Sequence, residues 1–187
     1  MTFSTAQKKQ PTSYKLQATS YSSGFTFVET LVAIAVLLIA IVAPLSLVYQ
    51  SLAASRVARN QITAIYLAQE AIEYIRATRD DNALSGSSWL YGLSECATTD
   101  GCMIDIPAND VSACSGGQCS ILQYNPETLL YGYGITKADW IDTVFRRTIT
   151  LQDIQSGFES KATATVEWYE GSTRRTVTLE ENIFNWQ

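Results

Sequence analysis

Three residues near the start of the chain, Gly24, Phe25 and Glu29, have the types and spacing for a charge pair created by proteolysis. They directly precede an apolar run, Leu31–Val48. A carboxylate at the border of hydrocarbon is costly and is functional by default. A cut between Gly24 and Phe25 would create an α-amino group four residues before Glu29, on the same helical face and about 6 Å away along the axis. That amine would pair with Glu29 of its own chain or of a neighbouring chain.

No side chain nearby in the sequence can neutralise Glu29. Neither Lys nor Arg occurs between Lys15 and Arg56. The predicted partner of Glu29 is therefore the new amine, and the predicted cleavage site is the Gly24–Phe25 bond.

The second group of reactive residues is a set of four cysteines within 24 residues: Cys96, Cys102, Cys114 and Cys119. An even number in a chain that carries an export signal favours two disulfides. Three pairings are possible, and we prefer Cys96–Cys102 with Cys114–Cys119 because each closes a short loop that contains glycine. Zinc is the alternative, but neither pair has the C-x₂-C spacing of a zinc site.

The composition argues against an enzyme and against a nucleic-acid-binding protein. The chain has no histidine, which removes the commonest general base and any Ser-His-Asp set. It also lacks a G-x-x-x-x-G-K phosphate loop. Residues 1–24 hold three lysines and no acid, so the remainder has 10 basic and 18 acidic side chains. Nucleic acid is therefore a possible but not a predicted partner, and no cofactor or metal is predicted.

A long helix is predicted from Phe25 to about Arg79. Pro44 is expected to kink it, because proline removes one backbone hydrogen bond. Beyond Gln50 the pattern becomes amphipathic, and Asp80–Asn82 is expected to end the helix. The apolar stripe recurs at helical spacing and contains Ile65, Ala68, Ile72 and Ile75, with Leu67, Ala71 and Tyr74 beside them.

The rest of the chain predicts loops followed by strands. Residues 82–128 are interpreted as loop-rich, with one possible short strand at Met103–Ile106. Alternating apolar and polar residues then predict strands at Thr143–Leu151, Lys161–Tyr169 and Thr173–Glu180. The predicted fold is α+β, in which a long helical spine covers an antiparallel sheet of three or four strands.

Five segments follow from these patterns. They are a cytoplasmic leader (1–24), a transmembrane or filament-core helix (25–50), an amphipathic helix (51–81), a loop-rich disulfide region (82–128) and an antiparallel sheet (129–187).

The segment around Gly24, Phe25 and Glu29 resembles the type IV prepilin signal. In that family a membrane peptidase cuts after the glycine and N-methylates the exposed residue, usually Phe. The acid at the fifth mature position, here Glu29, guides docking into a growing filament. The stretch Ala64–Glu73 is also similar to the spine of minor pilins of the PilV class and of the I-type pseudopilin of type II secretion.

The resemblance implies a structural subunit, a minor pilin or pseudopilin. Its implied partners are other pilin or pseudopilin subunits, the prepilin peptidase, an inner-membrane assembly platform and, before assembly, membrane lipid. The implied location is the inner (cytoplasmic) membrane, with a single pass and the head outside the cytoplasm. After assembly it is a cell-surface or periplasm-spanning filament.

Three alternatives remain open at the level of sequence. One is a secretory signal peptide with Lys8, Lys9 and Lys15 as its basic region and a cut near Ala53, although 18 apolar residues exceed the usual 7–15. Another is a plain membrane anchor carrying a disulfide-containing surface protein. The third is a pilus-tip binding module on the same scaffold, serving adhesion or DNA uptake.

Two further clusters have both a functional and a simpler interpretation. Asp105, Asn109 and Asp110 could offer oxygen ligands to calcium, but their spacing is not that of an EF-hand, so a solvated loop is favoured. A basic, aromatic surface for DNA or glycans could form from Arg146, Arg174, Tyr131, Tyr133 and Tyr169. Cross-strand charge pairs with Glu167 and Glu180 are the favoured interpretation of these arginines.

Overall fold

The computed structural model describes residues 24–134 and 139–185, except for the side chain of residue 43. The predicted leader, residues 1–24, lies outside the described residues apart from Gly24. The chain divides into two units, residues 1–48 and 49–187.

One helix of 59 residues, α1 (Phe27–Ser85), follows the three non-helical residues at the start of the described chain. It begins two residues after the predicted start at Phe25 and ends six residues beyond Arg79. It continues through Pro44, which lies inside the helix. It ends where Gly86 adopts a left-handed conformation with φ of 71° and the Ser87 N–H donates to the Asn82 carbonyl at 2.9 Å, an ending that favours glycine.

Seven strands follow α1 and a short 3₁₀ helix (Ser94–Ala97). They are β1 (Cys102–Asp105), β2 (Asp110–Ala113), β3 (Ile121–Asn125), β4 (Leu130–Gly132), β5 (Ile141–Gln155), β6 (Glu159–Glu170) and β7 (Thr173–Phe184). All described pairings are antiparallel, in the order β2-β1-β5-β3-β4, with β6 on the other edge of β5 and β7 beyond β6.

Two predictions differ from the structure: the number of strands and the loop-rich character of residues 82–128. The prediction of three or four strands was wrong, because β1, β2, β3 and β4 add to the predicted meander. The interpretation of residues 82–128 as loop-rich missed β2 and β3, each of only four or five residues. Strand β2 is partly or fully exposed along its length, so it lacks the apolar alternation by which a strand is recognised.

The predicted meander is confirmed as β5–β6–β7. Its central strand alternates strictly: Ala162, Ala164, Val166 and Trp168 are buried, and the residues between them are partly exposed. The turn between β6 and β7 contains Gly171, whose φ of 61° favours glycine. The strands are longer than predicted, since β5 extends to Gln155 and β7 to Phe184.

The core of the second unit lies between α1 and one face of the sheet. The helix contributes Ala64, Leu67, Ala68, Ala71, Ile72 and Ile75, and the sheet contributes residues such as Phe145, Ile149, Ala164 and Ile183. The predicted apolar stripe is thereby confirmed for most of its members. Ile65 and Tyr74 are only half-buried.

A fully buried arginine joins the helix to two strands. Arg147 of β5 has no exposed surface. One guanidinium nitrogen donates to the Leu67 carbonyl at 2.9 Å and to the Glu70 carboxylate at 2.8 Å. The other terminal nitrogen donates to the Ile104 carbonyl at 2.8 Å. A buried charge is tolerated only when it is paired and hydrogen-bonded, so these contacts fix the register of α1 on the sheet.

Candidate processing and assembly site

The predicted cleavage site lies in non-helical chain. Gly24, Phe25 and Thr26 precede the first helical residue, Phe27. The Phe25 side chain is 77% exposed, and a Cβ placed on Gly24 would meet no atom within 4 Å. Packing among the described residues therefore does not require glycine at position 24.

Glu29 takes part in starting the helix. Its backbone N–H donates to Thr26 Oγ1 at 3.3 Å, and the Thr30 N–H donates to the Thr26 carbonyl at 3.1 Å. Thr26 is thus the N-cap residue, and Glu29 stands three positions later, as in a capping box. Sequence reasoning missed Thr26, although the Thr-x-x-Glu spacing was visible and would have identified it.

The Glu29 carboxylate is exposed and free for an external partner. It makes no ion pair within residues 24–134 and 139–185. Its place in the first helical turn is favourable because the helix N-terminus carries partial positive charge. The same residue can therefore serve the helix through its capping position and a neighbour through its charge.

None of the residues that the structure describes covers the segment that follows Glu29. Every described side chain from Phe25 to Tyr49 is exposed, including the large apolar residues of the run. Among the described residues, α1 is the helix long and apolar enough to cross a membrane, with a mean hydropathy of 3.0 over its most apolar 18 residues. Signal sequences have the same property, so the residues that precede the run decide its interpretation.

The four cysteines form two disulfides, Cys96–Cys102 and Cys114–Cys119. This is the pairing that the sequence favoured over the two others. The first bridge is completely buried and belongs to the core, whereas the second closes the tight Ser115–Gln118 turn outside it. Cys102 opens β1, so the first bridge ties the 3₁₀ helix to the sheet.

The candidate calcium ligands bond to the chain itself. Asp105 accepts hydrogen bonds from the backbone of Ala108 at 3.3 Å and of Tyr133 at 3.1 Å. The Asn109 side-chain oxygen accepts one from the Tyr74 hydroxyl at 3.0 Å. Both side chains therefore order the β1–β2 turn, which agrees with the favoured loop interpretation.

The arginines of the candidate basic, aromatic surface bond to groups of the chain itself. Arg174 pairs with Glu167, as the cross-strand interpretation predicted, whereas Glu180 pairs with Lys161 at 3.0 Å. Arg146 donates to the Cys119 carbonyl at 2.6 Å. Tyr133 is buried, and its burial raises the pKa of its hydroxyl while the nearby Arg147 lowers it.

Comparison with known proteins gives one match. Residues 19–43 match the family model of the prokaryotic N-terminal methylation motif. The comparisons with curated proteins and with solved structures gave no match. The matched range contains Gly24, Phe25 and Glu29 and most of the apolar run.

The methylation motif, followed by a long apolar N-terminal helix, is consistent with a type IV pilin-like protein. The motif supports a type IV pilin or pseudopilin, which is a structural and not typically a catalytic protein. It implies processing by prepilin peptidase, assembly with other pilin subunits and anchoring in a membrane.

Proposed function

We propose that this chain is a minor pilin or pseudopilin subunit of a type IV pilus or of a type II secretion-like filament. The peptidase cuts the Gly24–Phe25 bond and the new Phe25 amine is N-methylated. The apolar helix is stored in the inner membrane with the head outside the cytoplasm, and it enters the filament core on assembly. The observation that carries this proposal is the methylation motif, whose matched residues 19–43 include the exposed apolar start of α1.

The exposure of the apolar helix supports assembly as well as anchoring. Burying apolar surface is worth about 25 cal/mol per Å², so a fully exposed helix of this composition requires lipid or protein around it. In a filament core the same side chains would be covered by neighbouring subunits. The helix can thus move from lipid to protein without being exposed to water.

Glu29 supplies the polar contact of this assembly step. Its carboxylate is exposed in the first turn of α1, in the part of the helix that would enter the core. In a medium of low dielectric, a carboxylate and an amine attract far more strongly than in water. The amine at Phe25 of a neighbouring subunit is the partner that completes the pair.

The test separates the two roles of Glu29, which are its capping position in the helix and its charge towards a neighbouring subunit. The change Glu29→Gln keeps a residue suited to the capping position but removes the charge. We expect processing and head folding to be unchanged and filament incorporation to fall about tenfold or more, since charged hydrogen bonds contribute about 1.5–3 kcal/mol. Incorporation is measured by immunoblotting sheared filaments against the membrane fraction.

The matched control is Glu127→Gln, which removes the same charge from an exposed turn of the head. Incorporation of that variant should match the wild type. If processed Glu29→Gln enters filaments at the wild-type level, the charge-pair mechanism is wrong.

A further inference from the structure

The basic side chains of the second unit divide into a bonded and an unbonded group. Arg76, Arg79, Arg146, Arg147, Lys161 and Arg174 each donate to a carboxylate or a carbonyl. Within the part of the chain that the structure describes, Arg56, Arg59 and Arg175 make no such contact. Arg175 lies on β7, whereas Arg56 and Arg59 both lie on α1, close behind the apolar run.

The two unbonded arginines of α1 share one helical face with two apolar residues. Tyr49, Leu52, Arg56 and Arg59 are separated by three, four and three residues, which places them on one side of a helix. We call these four residues the collar face. All four are exposed, Tyr49 by 74% and Leu52 by 56%. The collar face thus changes from apolar to basic in about three turns.

Helix geometry directs the collar arginines back towards the apolar run. Cα–Cβ bonds of an α-helix tilt towards its N-terminus, so a long side chain covers the turn that precedes it. Arg56 is seven residues, or about 10 Å, beyond Tyr49. An arginine stem can fold along apolar surface while its guanidinium reaches a polar layer.

These distances match the layered structure of a bilayer. The hydrocarbon is about 30 Å thick and the whole bilayer about 40–45 Å, which leaves a head-group layer of about 5–8 Å on each side. Tyrosine is enriched at that border, and Tyr49 directly follows the apolar run. With Tyr49 at the border, the side chain of Arg56 can extend back into the phosphate layer. Arg59, about 15 Å beyond Tyr49, can reach the outer edge of that layer.

The collar face is basic, whereas the unit that contains it is acidic. Residues 49–187 contain 17 acidic and 10 basic side chains, so the unit is acidic as a whole. Among the described residues, two of the three arginines without an internal partner lie on the collar face. A guanidinium also matches the geometry of a phosphate, with which it forms two parallel hydrogen bonds.

We propose that Arg56 and Arg59 bind the phosphates of anionic phospholipids in the outer leaflet of the membrane while the subunit is stored there. The inference rests on the proposed function, because it takes the apolar run to be in lipid before assembly. The two arginines would set the depth of the helix in the bilayer.

The experiment uses the full chain in vesicles made of equal amounts of phosphatidylglycerol and phosphatidylcholine. The protein is re-extracted in a mild non-ionic detergent, and the lipids that remain bound are quantified by mass spectrometry. We expect the wild type to be enriched in phosphatidylglycerol and Arg56→Gln/Arg59→Gln to lose about tenfold of that enrichment. High salt should weaken the wild-type enrichment, because these charges are exposed.

The matched control is Arg174→Gln/Arg175→Gln, which removes the same charge from β7. Retained enrichment in this control, together with loss in the collar variant, supports the inference. Equal loss in both variants overturns it, since net charge alone would then explain the effect. It is also overturned if the wild type shows no enrichment, or if the collar variant keeps its lipid but fails to enter filaments, which would make the collar a contact between subunits.

The two proposals fail in different ways. Cleavage at Gly24–Phe25, read from the mass of the chain isolated from native membranes, tests the proposed function alone. A correctly processed chain without phosphatidylglycerol enrichment overturns only the lipid inference.

Discussion

The start of α1 and the head, which is the second unit (residues 49–187), differ in how their apolar side chains are covered. From Phe25 to Tyr49 every described side chain is exposed. Between Ala64 and Ile75 the same helix buries six apolar residues in a core that reaches Ile183. Hydrophobic burial among the described residues therefore accounts for the head but not for the start of α1, whose apolar surface the proposed function assigns to lipid and to other subunits.

The same contrast is found in the disulfides and polar contacts of the two regions. The head is fixed by two disulfides and by buried Arg147, all of which act between its own elements. The start of α1 has a cap at Thr26 and a Glu29 carboxylate without an ion pair among the described residues, which suits a segment proposed to meet its partners on assembly. The following predictions test the independence of the two regions.

The largest expected effect is on processing. Gly24→Leu should block cleavage almost completely, because it places a large side chain directly before the proposed cut. The structure offers open space at this position, so the head should fold as in the wild type. Intact mass of the membrane-bound chain distinguishes the uncut from the cut form. A normally processed Gly24→Leu chain would contradict the assignment of the cleavage site.

The next effect is on the head alone. Arg147→Ala removes a buried cation from the contact between α1 and the sheet, and we expect the free energy of unfolding to fall by about 3–5 kcal/mol. Urea unfolding followed by tryptophan fluorescence measures the change. The exposed Arg174→Ala should have little effect. Equal effects of the two changes, or a loss of processing in Arg147→Ala, would break the proposed separation of the regions.

The disulfides should differ although their loops are almost equal in length, with sequence separations of 6 and 5. The chain-entropy contribution of each is about 2 kcal/mol. Cys96→Ala/Cys102→Ala also leaves a cavity in the core, so we expect a loss of about 3–4 kcal/mol, against about 2 kcal/mol for Cys114→Ala/Cys119→Ala. The same urea titration compares them. A larger loss for the second pair would show that its turn stabilises more than burial indicates.

The smallest effect concerns Tyr133. Its hydroxyl donates to the Arg147 carbonyl at 3.4 Å, a long hydrogen bond, so Tyr133→Phe should cost about 0.5 kcal/mol near neutral pH. Burial raises the pKa of Tyr133 above its ordinary value near 10. Its neutral form thus stabilises the head below pH 10, and this contribution is lost as pH rises through the folded-state pKa. In Tyr133→Phe the free energy of unfolding should therefore fall less steeply than in the wild type as the pH rises above 10. An unchanged dependence on pH would contradict this prediction.

Much of the fold was predictable because its long elements carry strong patterns. The alternation in β6 and the stripe on α1 identified both surfaces of the core. Strands β2 and β3 were missed because they are short and depend on pairing with β1 and β5 instead of on their own apolar face. The burial of Arg147 was not predictable from the chain, since arginine is almost never fully buried unless paired and its partners come from distant segments.

The candidate site divides in the same way. Gly24, Phe25 and Glu29 were identified from local spacing, and the matched methylation motif covers all three. Thr26 required attention to helix capping, and the collar face emerged only when the structure showed which arginines lack internal partners.

The most direct test of the central claim is mass spectrometry of sheared surface filaments from the native cell. If the chain is a processed pilin, the filament fraction contains a peptide that begins at N-methylated Phe25, and the abundance of this peptide relative to other pilins distinguishes a minor from a major subunit. A chain found only in membranes, either uncut or cut near Ala53, would contradict the account.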